Sequence, residues 1–262
     1  MDKEKIESIV AEVEEEYGMP GPSKIYRVWT AQERQRRFSI KSINQASNLA
    51  SLIDHTGLKP DLVEKDIERL CFQAREYGFA SVCVNPCWVQ FASEKLDSYD
   101  PMVCTVIGFP LGANTTDVKA SEAIRAAGDG ALEFDMVINI GAVKSADWQC
   151  VHADIASVVD SVYPLPVKVI LETCLLDDNE IVRSSAIAHS AGAAYVKTST
   201  GFSTGGATVE AIKLMSQAVH RKLGVKASGG IGDFETAVKM FEAGATRIGA
   251  SKSMTIIGKS ES

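Results

Sequence analysis

The sequence predicts an α/β fold of the (β/α)8 TIM barrel class, and three observations lead there. From Lys41 onward, short apolar runs alternate with longer stretches whose apolar residues recur every three or four positions, the pattern of a strand followed by an amphipathic helix. Each crossover is too long for a hairpin, so neighbouring strands run parallel. Eight such units fit into about 220 residues, a usual size for a closed barrel. An open doubly wound sheet is the structural alternative. That fold carries a glycine-rich turn after its first strand, whereas here the first strand runs into IDHTGLKP.

Residues 1–40 read as a charged, helical N-terminal extension, separate from a barrel domain at 41–262. MDKEKIESIVAEVEEEYG has the look of an acidic helix, MPGPSK breaks it, and TAQERQRR is a charge run. The expectation is a solvated helix and linker covering one end of the domain. SINQASNLAS then offers a helical segment that could plug the lower end of the barrel. Strands are expected at 52–54, 81–84, 102–107, 131–137, 167–171, 194–196, 224–225 and 247–248. Helical patterns fall between them at 61–77, 116–127, 147–162, 178–191, 208–224 and 234–243.

Composition narrows the function. The 262 residues are 45% hydrophobic, enough for a full core, and 27 Lys and Arg against 34 Asp and Glu leave a net charge of −7. Such a balance argues against general affinity for nucleic acid or anionic membranes. Without an apolar run of about 18 residues or a signal-like start, a cytoplasmic location is expected. The six cysteines (71, 83, 87, 104, 150 and 174) read as reduced small hydrophobes. Cys83 and Cys87 have a zinc-like spacing but no second close pair to complete four ligands. His152, His189 and His220 fall on helical patterns and read mostly as surface residues, while His55 beside Asp54 reads as a hydrogen bond fixing the first strand's end. Histidines so scattered make a metal site a poor fit, and neither GxxxxGK[ST] nor GxGxxG occurs, so no metal and no nucleotide cofactor is expected.

Two lysines at strand ends carry the chemistry. Lys197 and Lys226 each close an apolar run and enter a turn rich in Ser, Thr and Gly, and the strand–helix–strand between them makes their strands parallel neighbours. A lysine's reference pKa is about 10.4, so an amine neutral near physiological pH needs a shift worth about 4 kcal/mol. A second ammonium at about 5 Å supplies roughly 3 kcal/mol of that at an effective dielectric constant of about 20. One lysine then serves as Schiff-base nucleophile and the other as its perturbing neighbour, with Asp135, preceded by Glu133, as the inward carboxylate that exchanges protons. The alternative is ion pairing of these lysines with Asp135, Glu133 or Glu172 at the rim. Gly229 and Gly230 after the seventh strand, and Gly249, Ala250 and Ser251 after the eighth, offer backbone N–H groups where barrels commonly bind phosphate.

The segments IDHT, CVNP, VIGFPLGANTTDVKASEA, EFDMVINIGAVKS, VKVILETCLL, YVKTSTGFSTGGAT, VKASGGI and GATRIGAS, running from Ile53 to Ser251, resemble those of deoxyribose-phosphate aldolases. The resemblance implies a metal-independent class I aldolase that cleaves 2-deoxy-D-ribose 5-phosphate. It implies Lys197 as the Schiff-base lysine, Lys226 as the second lysine, Asp135 as acid/base and Lys168 in the same polar network. It further implies Gly201, Gly229, Gly230, Gly249 and Ser251 at the phosphate. A small phosphorylated sugar is the expected partner, and a homo-oligomer, dimer or tetramer, stays open. Three departures stand out: Gly57 where leucine is usual, Cys87 for an aromatic residue, and Gly232 with Asp233 where an arginine is frequent. The tail GKSES also lacks the tyrosine with which some members end.

Overall fold

The computed structural model describes residues 1–20, 49–220 and 222–260. Eight parallel strands close in chain order: β1 (Ile53–Gly57), β2 (Ser81–Val84), β3 (Met102–Ile107), β4 (Glu133–Val137), β5 (Val167–Ile170), β6 (Tyr195–Lys197), β7 (Gly224–Ser228) and β8 (Arg247–Ala250). β8 pairs back onto β1, which completes the (β/α)8 barrel. The helices among the described residues are α1 (Lys3–Tyr17), α2 (Glu64–Tyr77), α3 (Val89–Leu96), α4 (Thr116–Gly128), α5 (Ile140–Lys144), α6 (Trp148–Val162), α7 (Asp178–Ser190), α8 (Val209–Ala218), α9 (Phe234–Ala243) and α10 (Ser253–Ile256).

Several strands run further than their apolar residues suggest. β1 continues to Gly57, β7 to Ser228 and β8 to Ala250, two or three residues past the expected ends. Backbone pairing does not require apolar side chains, and polar side chains here face a site instead of water, so the ladder continues through them. Helix starts are set by side-chain caps: Asp177 and Glu180 form a reciprocal capping box on α7, and Asp147, Thr208 and Asp233 cap α6, α8 and α9. α8 stops at Ala218, short of the expected 224, and His220 beyond it has a positive φ of 45°. The short helix α3 fills the β2–β3 connection, where the repeat of one strand and one helix calls for a helix, and α5 adds a turn between β4 and α6.

The amino-terminal helix lies beside the barrel and not over its end. α1 starts at Asp2, which accepts from Lys5 N at 2.9 Å, and its stripe Ile6, Ile9, Val10 and Val13 is buried against α7 and α8. Ser190 Oγ donates to Gly18 O at 2.7 Å, Arg183 pairs with Glu12, and the Tyr17 ring stacks on His152 at 4.7 Å. The charge run TAQERQRR, the first seven residues of the plug segment SINQASNLAS and the boundary at 40/41 lie outside the described residues.

Candidate active site

Strand register places the charged residues side by side. Asp135 of β4 is level with Lys168 of β5, and Lys197 of β6 is level with Lys226 of β7, so the members of each pair point to the same face, into the barrel. Asp135 Oδ2 accepts from both Lys197 Nζ, at 2.7 Å, and Lys226 Nζ, at 2.6 Å. The two nitrogens, bound to one oxygen, are therefore immediate neighbours. Lys168 Nζ donates to Asp135 Oδ1 at 3.0 Å and pairs with Glu133 at 2.6 Å. Asp54 of β1 joins from the other side, 2.5 Å from Lys226 Nζ and 2.6 Å from Arg247 Nη1. Four cations and three carboxylates thus fill a barrel interior that apolar side chains usually occupy. The cluster needs space that two glycines provide: a Cβ on Gly249 would lie 2.8 Å from Lys226 Cε, and one on Gly224 would lie 2.1 Å from the Tyr195 ring.

Burial and pairing compete throughout this cluster. Burial alone would push the Lys226 amine toward neutrality, but Asp135 and Asp54 outweigh it and hold its pKa above the ordinary lysine value. Burial opposes ionised Asp135 too, and Lys168, Lys197 and Lys226 together keep its carboxyl well below the usual range. Asp54 is likewise lowered, by Arg247, Lys226 and Lys168 against burial. Cys104, whose thiol burial pushes well above its ordinary value, donates to Asp135 Oδ1 at 3.3 Å. It is a polar member of the site, although the sequence suggested only a small hydrophobe. Cys104 also converges with Cys83 and Asp135, and with Asp54 and Glu133. Those carboxylates already bear ammonium or guanidinium groups, so a metal ion would have to displace them. Cys83 is buried and Cys87 exposed.

A cavity of about 810 Å³ opens over the cluster at the carboxyl ends of the strands. Lys197 lines it, whereas Lys226, Asp135 and Lys168 lie fully buried beneath. All five glycine and serine positions expected at a phosphate line the cavity: Gly201, Gly229, Gly230, Gly249 and Ser251. Gly201, Gly229 and Gly230 have φ of 86°, 86° and 78°, which turn their backbones in a way other residues resist. Glu172 pairs with no lysine among the described residues. With a left-handed φ of 56°, it sits buried after β5 and accepts from Thr200 N at 3.3 Å and from Thr200 Oγ1, tying the β5 and β6 loops together beside Gly201. His55 makes the structural bond expected of it, to Gln73 Oε1 at 2.8 Å.

Sequence comparison decides the family. Residues 48–258 match the model of the DeoC/LacD family aldolases. The chain belongs to the DeoC/LacD family of aldolases. This aldolase is 58% identical over 210 residues to a deoxyribose-phosphate aldolase of Listeria innocua, covering 80% of the chain and 94% of that protein. It is 52% identical over 221 residues to one from Caldanaerobacter subterraneus, with coverages of 83% and 96%. Among solved structures, the tetrameric deoxyribose phosphate aldolase of Aeropyrum pernix superimposes with a TM-score of 0.77 at 33% identity, covering 91% of the chain and 97% of that structure. No helix among the described residues of the aldolase is long and apolar enough to cross a membrane.

Sequence reasoning missed Arg247, and it weighed Asp54 as a strand-end residue without linking it to the lysines. The signal was present in both: each is a charge inside or at the start of an apolar strand, in IDHT and TRIGA. Asp233, one of the departures noted above, caps α9: its carboxylate accepts from Thr236 N at 2.8 Å and Thr236 Oγ1 at 3.0 Å.

Proposed function

We propose that the chain cleaves 2-deoxy-D-ribose 5-phosphate reversibly to D-glyceraldehyde 3-phosphate and acetaldehyde through a Schiff base on Lys197. The observation that carries this reading is that Lys197 both borders the cavity and shares Asp135 Oδ2 with Lys226. As an uncharged amine, Lys197 leaves three cations (Lys168, Lys226, Arg247) facing three carboxylates (Asp54, Glu133, Asp135), a balanced cluster. Its attack on the open-chain aldehyde gives a carbinolamine, and loss of water leaves an iminium cation beside the Asp135 carboxylate, which stabilises it. The Asp135 carboxylate, through a water, takes the proton of the C3 hydroxyl, while charged Lys226 holds that carboxylate in place and orients the water. The C2–C3 bond then breaks, its electrons flow into the iminium to form an enamine, and C3 becomes the aldehyde of the phosphorylated product. Protonation of the enamine carbon and hydrolysis release acetaldehyde and restore Lys197. Gly201, Gly229, Gly230, Gly249 and Ser251 hold the phosphate, so that binding energy far from the reacting carbons orients them.

Two further readings accompany it. Residues 1–40 form an extension to a barrel domain at 41–262, supported by the docking of α1 on the outside of α7 and α8. A homo-oligomer is supported by the relative described as tetrameric. The catalytic reading is tested by borohydride reduction in the presence of substrate. A mass increase on the peptide containing Lys197 is expected, and an unmodified protein, or an adduct on another lysine, would refute it.

A further inference from the structure

Lys252 is a cation at the wall of the cavity with no carboxylate paired to it among the described residues. It follows Ser251 just beyond β8, and its side chain lies across the loop after β7. A Cβ placed on Gly232 would come 3.4 Å from Lys252 Cδ and 4.0 Å from its Nζ. Gly232 has no positive φ, so the backbone does not demand glycine there. What the absent side chain supplies is room for the lysine. Lys59 and Lys197 border the same cavity, and Arg69, also there, pairs with Asp66 at 3.0 Å. The lining is therefore cationic on a chain whose net charge is −7.

A flexible ammonium beside glycine-rich turns that present backbone N–H groups suits a phosphoryl dianion. We infer that Lys252 is the side-chain cation that binds the phosphoryl group of the substrate and sets the preference for phosphorylated over unphosphorylated sugars, an inference that rests on the reaction proposed above. Backbone donors satisfy individual phosphate oxygens, and Lys252 neutralises charge that they leave. Its reach across Gly232 also explains why the β7 loop, which carries no cation of its own between Ser228 and Asp233, need not supply one.

Steady-state kinetics of the full chain on 2-deoxyribose 5-phosphate and on 2-deoxyribose test the inference, with inorganic phosphate as competing ligand. For Lys252→Ala, KM for the phosphorylated sugar is expected to rise at least about tenfold with kcat held within about twofold, the size of one lost charge-assisted contact. The inhibition constant of inorganic phosphate should rise in parallel. The ratio of kcat/KM values, phosphorylated over unphosphorylated, should fall by the same factor. Lys252→Arg, and Gly232→Arg added to Lys252→Ala, should restore most of the preference, because either guanidinium reaches the vacated space. An unchanged KM, or equal losses on both sugars, would overturn the role of Lys252 while the aldolase reading stands. A wild-type chain that turns over no 2-deoxyribose 5-phosphate would overturn both.

Discussion

At the scale of the residue, the position of Lys226 is set by what it touches. It is fully buried and in contact with Asp54 and Asp135, which hold it charged, so in the proposed reaction its part is played through Lys197 and Asp135. Replacing it with leucine leaves three carboxylates and, besides Lys197, only two cations. Lys197 would then serve as the missing counter-charge and lose its nucleophilic form. Lys226→Leu is therefore expected to lower kcat at least about a hundredfold, roughly 3 kcal/mol of barrier. The inhibition constant of inorganic phosphate should move by less than about threefold, since Lys226 does not line the cavity. Equal losses in turnover and phosphate affinity would contradict this division of roles. Lys197, Lys226 and Asp135 stood out in the sequence because each is a charge that interrupts or closes an apolar run. Arg247 was not, because a charge at the start of a strand is ordinarily solvated, and only closure of the barrel turns it inward onto Asp54.

At the scale of the element, α1 and α7 show what a sequence pattern conveys and what it omits. The acidic helix and its apolar stripe were readable, but its docking surface was not, because that surface is assembled from α7 and α8, more than 160 residues away. The same packing buries His189 near the end of α7, which corrects its reading as a surface residue. Burial first, and then Lys222 and His220, depress its pKa from 6.5 to about 4, with Glu14 of α1 acting in the opposite sense. A histidine whose folded pKa is lowered binds fewer protons folded than unfolded, so acid favours unfolding. The stability its neutral form supplies is complete above about pH 6.5 and is lost as the pH falls from there toward about 4. The lowered carboxylates Asp54 and Asp135 do not contribute in this window, since their losses begin only near the ordinary carboxylate range. The melting temperature of the wild-type chain should therefore fall between pH 7 and pH 5, and that of His189→Asn should fall distinctly less. Parallel pH profiles for the two proteins would remove His189 as the cause.

At the scale of the whole molecule, the ionic cluster does two tasks that a sequence cannot display together. In the proposed reaction it carries the chemistry, and it ties β1, β4, β5, β6, β7 and β8 across the middle of the barrel, from Asp54 through Lys226, Asp135, Lys197 and Lys168 to Glu133 and Arg247. The Arg247–Asp54 pair, at 2.6 Å, sits where β8 closes onto β1, the contact of longest sequence separation in the sheet. The alternation of strands and helices announces a barrel, but nothing local specifies that its first and last strands meet over a salt bridge. Removing one partner strands a buried charge, which costs about 3–5 kcal/mol, whereas removing both leaves a smaller imbalance. Asp54→Asn and Arg247→Met should thus each lower the stability measured by urea unfolding by about that amount. The double variant should lose less than the sum by about 1–3 kcal/mol, the coupling expected of groups in direct contact. Strict additivity would mean that each charge is compensated separately by its other neighbours, Lys226 for Asp54 and Glu133 for Arg247. The closing seam would then rest on backbone pairing and on the apolar layer between strands and helices, and the cluster would answer to catalysis alone.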